Sequence, residues 1–368
     1  MSLFPKISPV SESSLAEFLK QSPELAHQWR DFVAASPYGD VLQCLEWGRV
    51  KTPEYAPLSV SLSENGKLKA TCLVLKKSLP LGRSYFYLSR GPILDWNDEP
   101  LVRAMFDKLR ELAKEHRAIF IRTDPCVPDD TPGIKELLQN LGFIESPEAK
   151  GMFGGLQPRC NMKLDLSAPI EEVFEKKFDS KWRYNTRLAT KKGVKVTGET
   201  SRDDLKIFHD IYRVTSSRNG FTGYSLGYFE KMWDALQPVG LMKLFIASYE
   251  EKPLSAAISF LLPPQCVYVF GASSNEERNR MPTHLMQWTM MQWAKENGCT
   301  IYDFRGVPDP NFSDIPAHEE GLVKFKSGFG AQMVRYIGEY DLPLDALSYA
   351  LWTKARSKLV STLKKIKK

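Results

Sequence analysis

Met242-Lys-Leu-Phe-Ile-Ala-Ser-Tyr249 runs into Glu250-Glu251-Lys252-Pro253 and returns as Leu254-Ser-Ala-Ala-Ile-Ser-Phe-Leu-Leu262. Two apolar runs joined by so short a polar turn predict an antiparallel hairpin. Val267–Ala272 reads as a third strand, Arg278–Pro282 as a loop, and Thr283–Asn297 as a helix. Thr300–Phe304 then reads as a strand ending at Arg305-Gly306. A strand–helix–strand unit sets its two strands parallel, so this stretch builds a mixed sheet.

The same order occurs once before. Pro57–Ser63 reads as a strand, and Glu64-Asn65-Gly66-Lys67 as a hairpin turn, for which Asn-Gly is the strongest short signal. Leu68–Lys77 and Ser84–Leu88 follow as strands, Leu101–His116 as an amphipathic helix, and Ala118–Arg122 as a buried strand ending at Asp124-Pro125. Helical sequence precedes each hairpin: Leu25–Ala35 and Cys44–Val50 in the first half, Ile170–Lys192 and Arg202–Asn219 in the second. The expected fold class is α+β, with two tandem acetyltransferase-like (acyl-CoA N-acyltransferase type) domains, each with a mixed sheet, and a cleft between them. The boundary falls in the Gly-, Pro- and Glu-rich Phe143–Arg159, giving domains 1–158 and 159–332. Residues 333–368, with a strand-like Met333–Tyr340 and a turn at Asp341-Leu342-Pro343-Leu344, are expected to return to the first domain.

With 43% hydrophobic and 26% charged residues, the chain has the composition of a soluble globular protein. No apolar run is long enough to span a bilayer, and Met1–Lys20 lacks a signal-peptide core, so a cytoplasmic location is expected. The six cysteines show no Cys-x-x-Cys spacing; they read as reduced core thiols, and no metal site is expected. Of the five histidines, only His318 stands out from surface or core duty. Net charge is +6, and seven basic residues with no acidic one lie in Leu351–Lys368, so the remainder is near neutral. Leu351, Trp352, Ala355, Leu359, Leu363 and Ile366 recur there at helical spacing. This basic helix fits either packing on the body with a solvated lysine end or peripheral contact with an anionic membrane.

Four places carry cations suited to anionic ligands. Arg183, Arg187 and Lys191 share one face of a helix, opposite Trp182, Asn185 and Ala189. That face suits a nucleic-acid phosphate backbone, or is a solvated helix side. Arg218, just before Gly220, suits bidentate phosphate binding, or caps its helix. Lys51, closing Trp47–Lys51, is a phosphate contact or a surface lysine. The fourth is the loop read from Tyr302-Asp303-Phe304-Arg305-Gly306 to Phe325-Lys326-Ser327-Gly328-Phe329-Gly330, whose cations suit a developing negative charge. The loops at 89–95 and 277–283 lack the paired glycines of a coenzyme A pyrophosphate site, so no cofactor is expected.

Taken in order, several segments resemble the Fem family of peptidoglycan-bridge aminoacyltransferases. They are Lys181–Val194 with its Lys-x-Arg-x-Asn pattern, Phe270–Ser274 with Met281-Pro282 and Gln287-Trp288, Tyr302–Gly306, Gly321–Gly330, and Tyr336–Glu339 with Leu342-Pro343-Leu344. The resemblance covers most of the chain and implies two acetyltransferase-like domains. It implies transfer of Gly, Ala or Ser from aminoacyl-tRNA to the stem-peptide side-chain amine of UDP-MurNAc-pentapeptide or its lipid-linked form, by a monomer. It further implies Lys326 as the cation facing the tetrahedral oxyanion, with Phe325 shaping the site. Lys51 and Arg218 would contact the precursor diphosphate, and Tyr268 the precursor. Arg305 would hold substrate or pair with Asp303. Arg183, Arg187 and Lys191 would meet the tRNA acceptor end, and Asp95, Asp303 or the substrate would take the amine proton. The helical arm of many members is missing, because Trp233–Leu244 passes straight through Gln237-Pro238-Val239-Gly240. Two other readings stand beside this one: a coenzyme A-dependent N-acyltransferase on the same fold, and a non-catalytic RNA- or membrane-binding protein.

Overall fold

The computed structural model describes Leu19, residues 21–312 and residues 315–366; the side chains of Ala317, His318 and residues 357–366 lie outside the description. The rest of the N-terminal stretch, the His318 side chain and those of Lys358, Lys364, Lys365, Lys367 and Lys368 are therefore outside the described residues. The described residues divide into two compact units: one runs up to Arg159 and resumes at Tyr336, the other is Cys160–Arg335.

The first unit begins with α1 (Pro23–Ala35) and α2 (Leu45–Lys51), then β1 (Ala56–Glu64), β2 (Lys67–Leu79) and β3 (Arg83–Leu88). The helix α3 (Glu99–Glu115), β4 (Ala118–Thr123), α4 (Ile134–Asn140) and the short β5 (Ile144–Glu145) follow. Asn65 (φ 49°) and Gly66 (φ 76°) turn the first hairpin with both central residues left-handed. Asp98 caps α3 by accepting the Leu101 N–H at 3.0 Å. One face of α3 then buries Val102, Met105, Phe106, Leu109 and Ala113. At about 1.5–3 kcal/mol for each large apolar side chain, this face rather than intrinsic propensity holds the helix.

In the second unit, β6 (Cys160–Asp165) leads to α5 (Ile170–Lys177), α6 (Ser180–Lys191), β7 (Lys195–Thr197), α7 (Leu205–Asn219) and α8 (Leu226–Leu236). The hairpin β8 (Met242–Tyr249) and β9 (Lys252–Leu262) is followed by β10 (Gln265–Ser273), α9 (Pro282–Glu296) and β11 (Ile301–Val307). Last come α10 (Ala317–Ser327) and β12 (Gln332–Arg335), before the chain re-enters the first unit as β13 (Tyr340–Pro343) and α11 (Ala346–Ile366).

Both sheets are mixed, and the fold is α+β. Their strand orders are β1-β2-β3-β4-β13-β5 and β12-β6-β11-β10-β9-β8-β7. The hairpin partners β1/β2 and β8/β9 are antiparallel, while β3/β4 and β10/β11 are parallel.

Four sequence expectations change. Met333–Tyr340 is not one strand: β12 pairs with β6 in one sheet and β13 with β4 in the other. Gly338 (φ 98°) lies between them. The expected turn at Asp341-Leu342-Pro343-Leu344 is mostly strand β13. Ile170–Lys192 breaks at Phe178-Asp179, where the Asp179 N–H donates to Gly328 O (2.9 Å) from outside the helix. The segment before Gly328 is helix α10, not loop.

Candidate active site

The second unit opens where its two parallel strands part. β10 and β11 pair through Gln265↔Ile301, Cys266↔Tyr302 and Val267↔Asp303, and no further. Each then bulges: β10 shifts register between Tyr268 and Phe270, β11 between Asp303 and Gly306. The β11 bulge puts Arg305 in the left-handed region (φ 60°). Asp303 fixes it by accepting the Arg305 N–H (2.6 Å) on one oxygen and the Asn161 side-chain amide (2.9 Å) on the other.

The bulge turns two carbonyls towards Lys326. The Lys326 side chain is 3% exposed, and its Nζ donates to Gly306 O at 2.6 Å and Arg305 O at 3.2 Å. Burial pushes its pKa down to about 7; Asp303 and Glu319 oppose the shift and Arg305 adds to it. A lysine so placed exchanges its proton near neutral pH.

Lys326 is held there because the last turn of α10 is fixed on several sides. The Trp182 indole donates to Phe325 O at 3.0 Å. The Phe325 ring meets His284 (5.5 Å) and Phe329 (5.1 Å) edge-on, and Phe329 stacks on Phe304 at 5.4 Å. The glycines of Gly328-Phe329-Gly330 are required by close approach. A Cβ on Gly328 would lie 2.3 Å from the Trp182 ring, and one on Gly330 (φ 84°) 2.5 Å from Lys177 O.

Two residues of this shell are given no role by the sequence. Asn185 Nδ2 lies 3.2 Å from His284 Nε2, and both side chains are buried. Burial, with Lys181 nearby, lowers the His284 pKa to about 4, so the imidazole is neutral at physiological pH. The Lys-x-Arg-x-Asn pattern thus reaches the site through Trp182 and Asn185 rather than through its cations.

The other expected residues are distributed as follows. Tyr268 is half-buried on the β10 bulge, its hydroxyl pushed up to about 12 by burial. That hydroxyl occupies the space a Cβ at Gly271 would need. Arg218, at the end of α7, donates to Ser273 O (3.0 Å), Ser273 Oγ (2.9 Å) and Asn275 Oδ1 (2.7 Å), tying α7 to the end of β10. Arg218 and Lys326 therefore stand at the C-terminal ends of the two diverging strands. Arg183 Nη1 donates to Glu175 O (3.0 Å) and Phe178 O across the α5–α6 break. Arg187 pairs with Glu175 and lies over the Phe174 ring (5.2 Å), while Lys191 is exposed. In the first unit, Lys51 Nζ lies 5.9 Å from the Trp47 ring and 5.5 Å from the Tyr55 ring, 4.0 Å from Glu54, and burial lowers its pKa.

A coenzyme A site would use backbone amides at the start of α9. There, the Arg280 N–H is bonded to Glu277 O (2.9 Å) and the Met281 N–H to Arg278 O (3.1 Å) within the loop itself.

A sequence model described as the FemAB family matches residues 25–242 and 237–357. The two stretches meet over Gln237-Pro238-Val239-Gly240, where this chain passes directly from α8 to β8. The lipid II:glycine glycyltransferase of Staphylococcus saprophyticus is 30% identical, over 91% of this chain and 97% of that protein. Their alignment spans 410 residues against the 368 of this chain, so the relative carries residues with no counterpart here. The crystal structure of FemX matches with a TM-score of 0.81 at 26% identity, over 89% of this chain and 98% of that one. A tandem GNAT protein from the clavulanic acid biosynthesis pathway shares the fold, with a TM-score of 0.50 at 12% identity over 91% and 97% of the two chains.

Proposed function

The chain belongs to the FemAB family, and from that premise we propose that it transfers an amino acid from aminoacyl-tRNA to the stem-peptide side-chain amine of a peptidoglycan precursor. The observation that carries this reading is Lys326, a buried lysine at the mouth of two parting strands with its Nζ on the carbonyls of a strained bulge.

The acceptor amine attacks the ester carbonyl. A tetrahedral oxyanion forms, the carbonyl–ribose C–O bond breaks, and the terminal hydroxyl of the tRNA leaves with the proton lost by the amine. Lys326 faces the oxyanion. A negative charge developing beside it raises its proton affinity, so a lysine near pKa 7 becomes fully cationic when the charge appears. The neutral His284 holds Phe325 and is not a second cation. In the second unit Arg218 contacts the precursor diphosphate, Tyr268 and Arg305 line the substrate, and the Arg187 and Lys191 side of α6 meets the tRNA; Lys51 is the phosphate contact proposed for the first unit. The Staphylococcus saprophyticus relative is a lipid II:glycine glycyltransferase, which favours glycine as the donated residue and the lipid-linked precursor as acceptor.

The test is transfer to precursor from a mixture of charged tRNAs, read as a mass shift of the precursor. Wild type should add one small residue. Lys326→Met should cut the rate by roughly 10²–10³-fold, as for other lost oxyanion partners, with an unchanged circular dichroism spectrum. Full activity in Lys326→Met removes that residue from the chemistry. Transfer from acetyl-CoA without any response to charged tRNA replaces the donor.

A further inference from the structure

We propose that one edge of the first unit, formed by the β2–β3 hairpin tip and the outward face of α11, docks on an anionic lipid bilayer.

The hairpin tip is Pro80-Leu81-Gly82. Leu81 is 90% exposed and sits at φ 60°, a conformation that leucine rarely adopts. A glycine or asparagine would hold this turn with less strain, and the fold gains no apolar burial from the leucine. An exposed, strained apolar side chain at a loop tip is suited to entering an apolar medium.

The second observation lies on α11. Its inner face packs on the sheet: Trp352 meets Phe120 at 4.7 Å and Tyr85 at 5.8 Å, and Tyr349 meets Phe120 at 5.4 Å. Its outer face carries Leu347, 73% exposed, and one turn on Leu351, 61% exposed. Arg83, two residues past Leu81, bonds both the Asp345 carboxylate and Ser348 Oγ (3.3 Å). That bridge brings the hairpin tip to the first turn of α11, so the three leucines belong to one edge.

Apart from Asp345, held by Arg83, and Glu148, paired with Arg356, the charge named on this edge is basic. The Arg117 guanidinium lies 3.4 Å from where a Cβ on Gly82 would be. Lys354 is exposed on α11, and from Ala346 to Lys368 the sequence holds seven basic residues and no acidic one. Cations alone would suit a nucleic acid, and aliphatic groups alone a protein partner. Exposed leucines beside a one-sign cationic segment fit the interface of an anionic bilayer, where apolar side chains enter the acyl boundary and lysines meet the headgroups. Among the described residues no helix is long and apolar enough to cross a membrane, so the contact is with the surface.

This inference does not use the transferase reading, and neither does its test. The full chain is sedimented with vesicles of phosphatidylglycerol and phosphatidylcholine in equal parts, and with phosphatidylcholine alone, at low and high salt. The expected result is binding to the anionic vesicles at least about tenfold tighter than to the neutral ones, weakened by salt. The variant Leu81→Gly/Leu347→Ser/Leu351→Ser should lose about tenfold of that affinity with no fall in its unfolding temperature. Failure to bind anionic vesicles, or equal binding by the variant and the wild type, overturns the proposal. So does a variant that loses affinity for total tRNA while keeping its affinity for vesicles.

Discussion

The parallel pairs β3/β4 and β10/β11 come from the same strand–helix–strand plan but end differently. In the first unit, pairing continues to Leu88↔Thr123, and the ends are then sealed. The buried Arg90 has its N–H on Asp124 Oδ1 (2.6 Å), its Nη2 on Pro158 O (2.7 Å) and its guanidinium over the Tyr336 ring (5.0 Å). Tyr87 donates to the other oxygen of Asp124 at 2.7 Å. In the second unit, pairing stops after Val267↔Asp303, and the buried cation beyond it, Lys326, rests on carbonyls. Both places hold a left-handed arginine, Arg90 (φ 57°) and Arg305 (φ 60°). Arg90 makes a closure: its backbone N–H holds the buried Asp124 carboxylate, its guanidinium reaches the carbonyls of Asp124 and Pro158, and the nearby carboxylate charge favours its cationic form. Lys326 also rests on carbonyls, but no carboxylate accepts from it and burial loosens its proton, which is what a site needs.

The largest effect should follow from breaking the closure. Arg90→Met keeps the backbone N–H and Tyr87 bonds to Asp124 but removes the largest favourable charge acting on this buried carboxylate and two bonds to carbonyls, and uncovering a buried charge costs about 3–5 kcal/mol. Denaturant unfolding should show that loss in the first unit. A change under about 1 kcal/mol would mean that strand pairing, not Arg90, holds the ends together.

Next in size is a difference in sign between the two units. Lys326 has a folded pKa of about 7, below the 10.5 of an ordinary lysine. Its burial therefore costs stability in full below pH 7, and that cost fades as pH rises towards 10.5. Lys326→Met removes it, so the variant should gain stability relative to wild type at pH 6 and lose that gain by pH 10. The swing is on the order of 2–4 kcal/mol. In the first unit, burial raises the carboxyl of Glu339 to about 7, with Asp124 adding to the shift and Arg122 opposing it. Glu339 therefore costs nothing below about pH 4.5; its cost builds as pH rises towards 7 and is complete above it. Glu339→Gln should gain on wild type as pH rises from 5 to 8, the reverse of the Lys326 variant. Thermal unfolding from about pH 5 to 10 checks both, and parallel pH trends in the two variants would break the contrast.

How much of this was legible in the sequence follows from the range of the forces involved. The hairpins, third strands and crossover helices were readable because each is set by neighbours in the chain. Glu250 (φ 46°) and Glu251 (φ 62°) even turn the second hairpin without a glycine. What was hidden depends on distant partners. Asp179 leaves its helix for a carbonyl in Gly328, and Asn185 meets His284 across the fold. β12 and β13 separate because each finds a different sheet. Lys326 was singled out by resemblance alone. Its burial, and the bulge that receives its Nζ, arise from Asp303, Arg305 and the Trp182 side of α6, which no local pattern links.

The smallest effect sharpens the contrast inside α6 itself. Arg183 serves structure, bonding two carbonyls at the α5–α6 break, whereas Arg187 pairs with Glu175 at an exposed site. An exposed pair of that kind contributes roughly 0.2–1 kcal/mol, so Arg187→Ala should barely move the unfolding midpoint. If Arg187 meets a tRNA phosphate, the same variant should weaken tRNA binding and reduce the slope of log affinity against log salt by about 1. Arg183→Ala should instead cost stability at the helix break. Filter binding of charged tRNA at several salt concentrations separates the two. An unchanged salt slope in Arg187→Ala would return the outer face of α6 to solvent, and leave Trp182 and Asn185 as the part of that helix which reaches the chemistry.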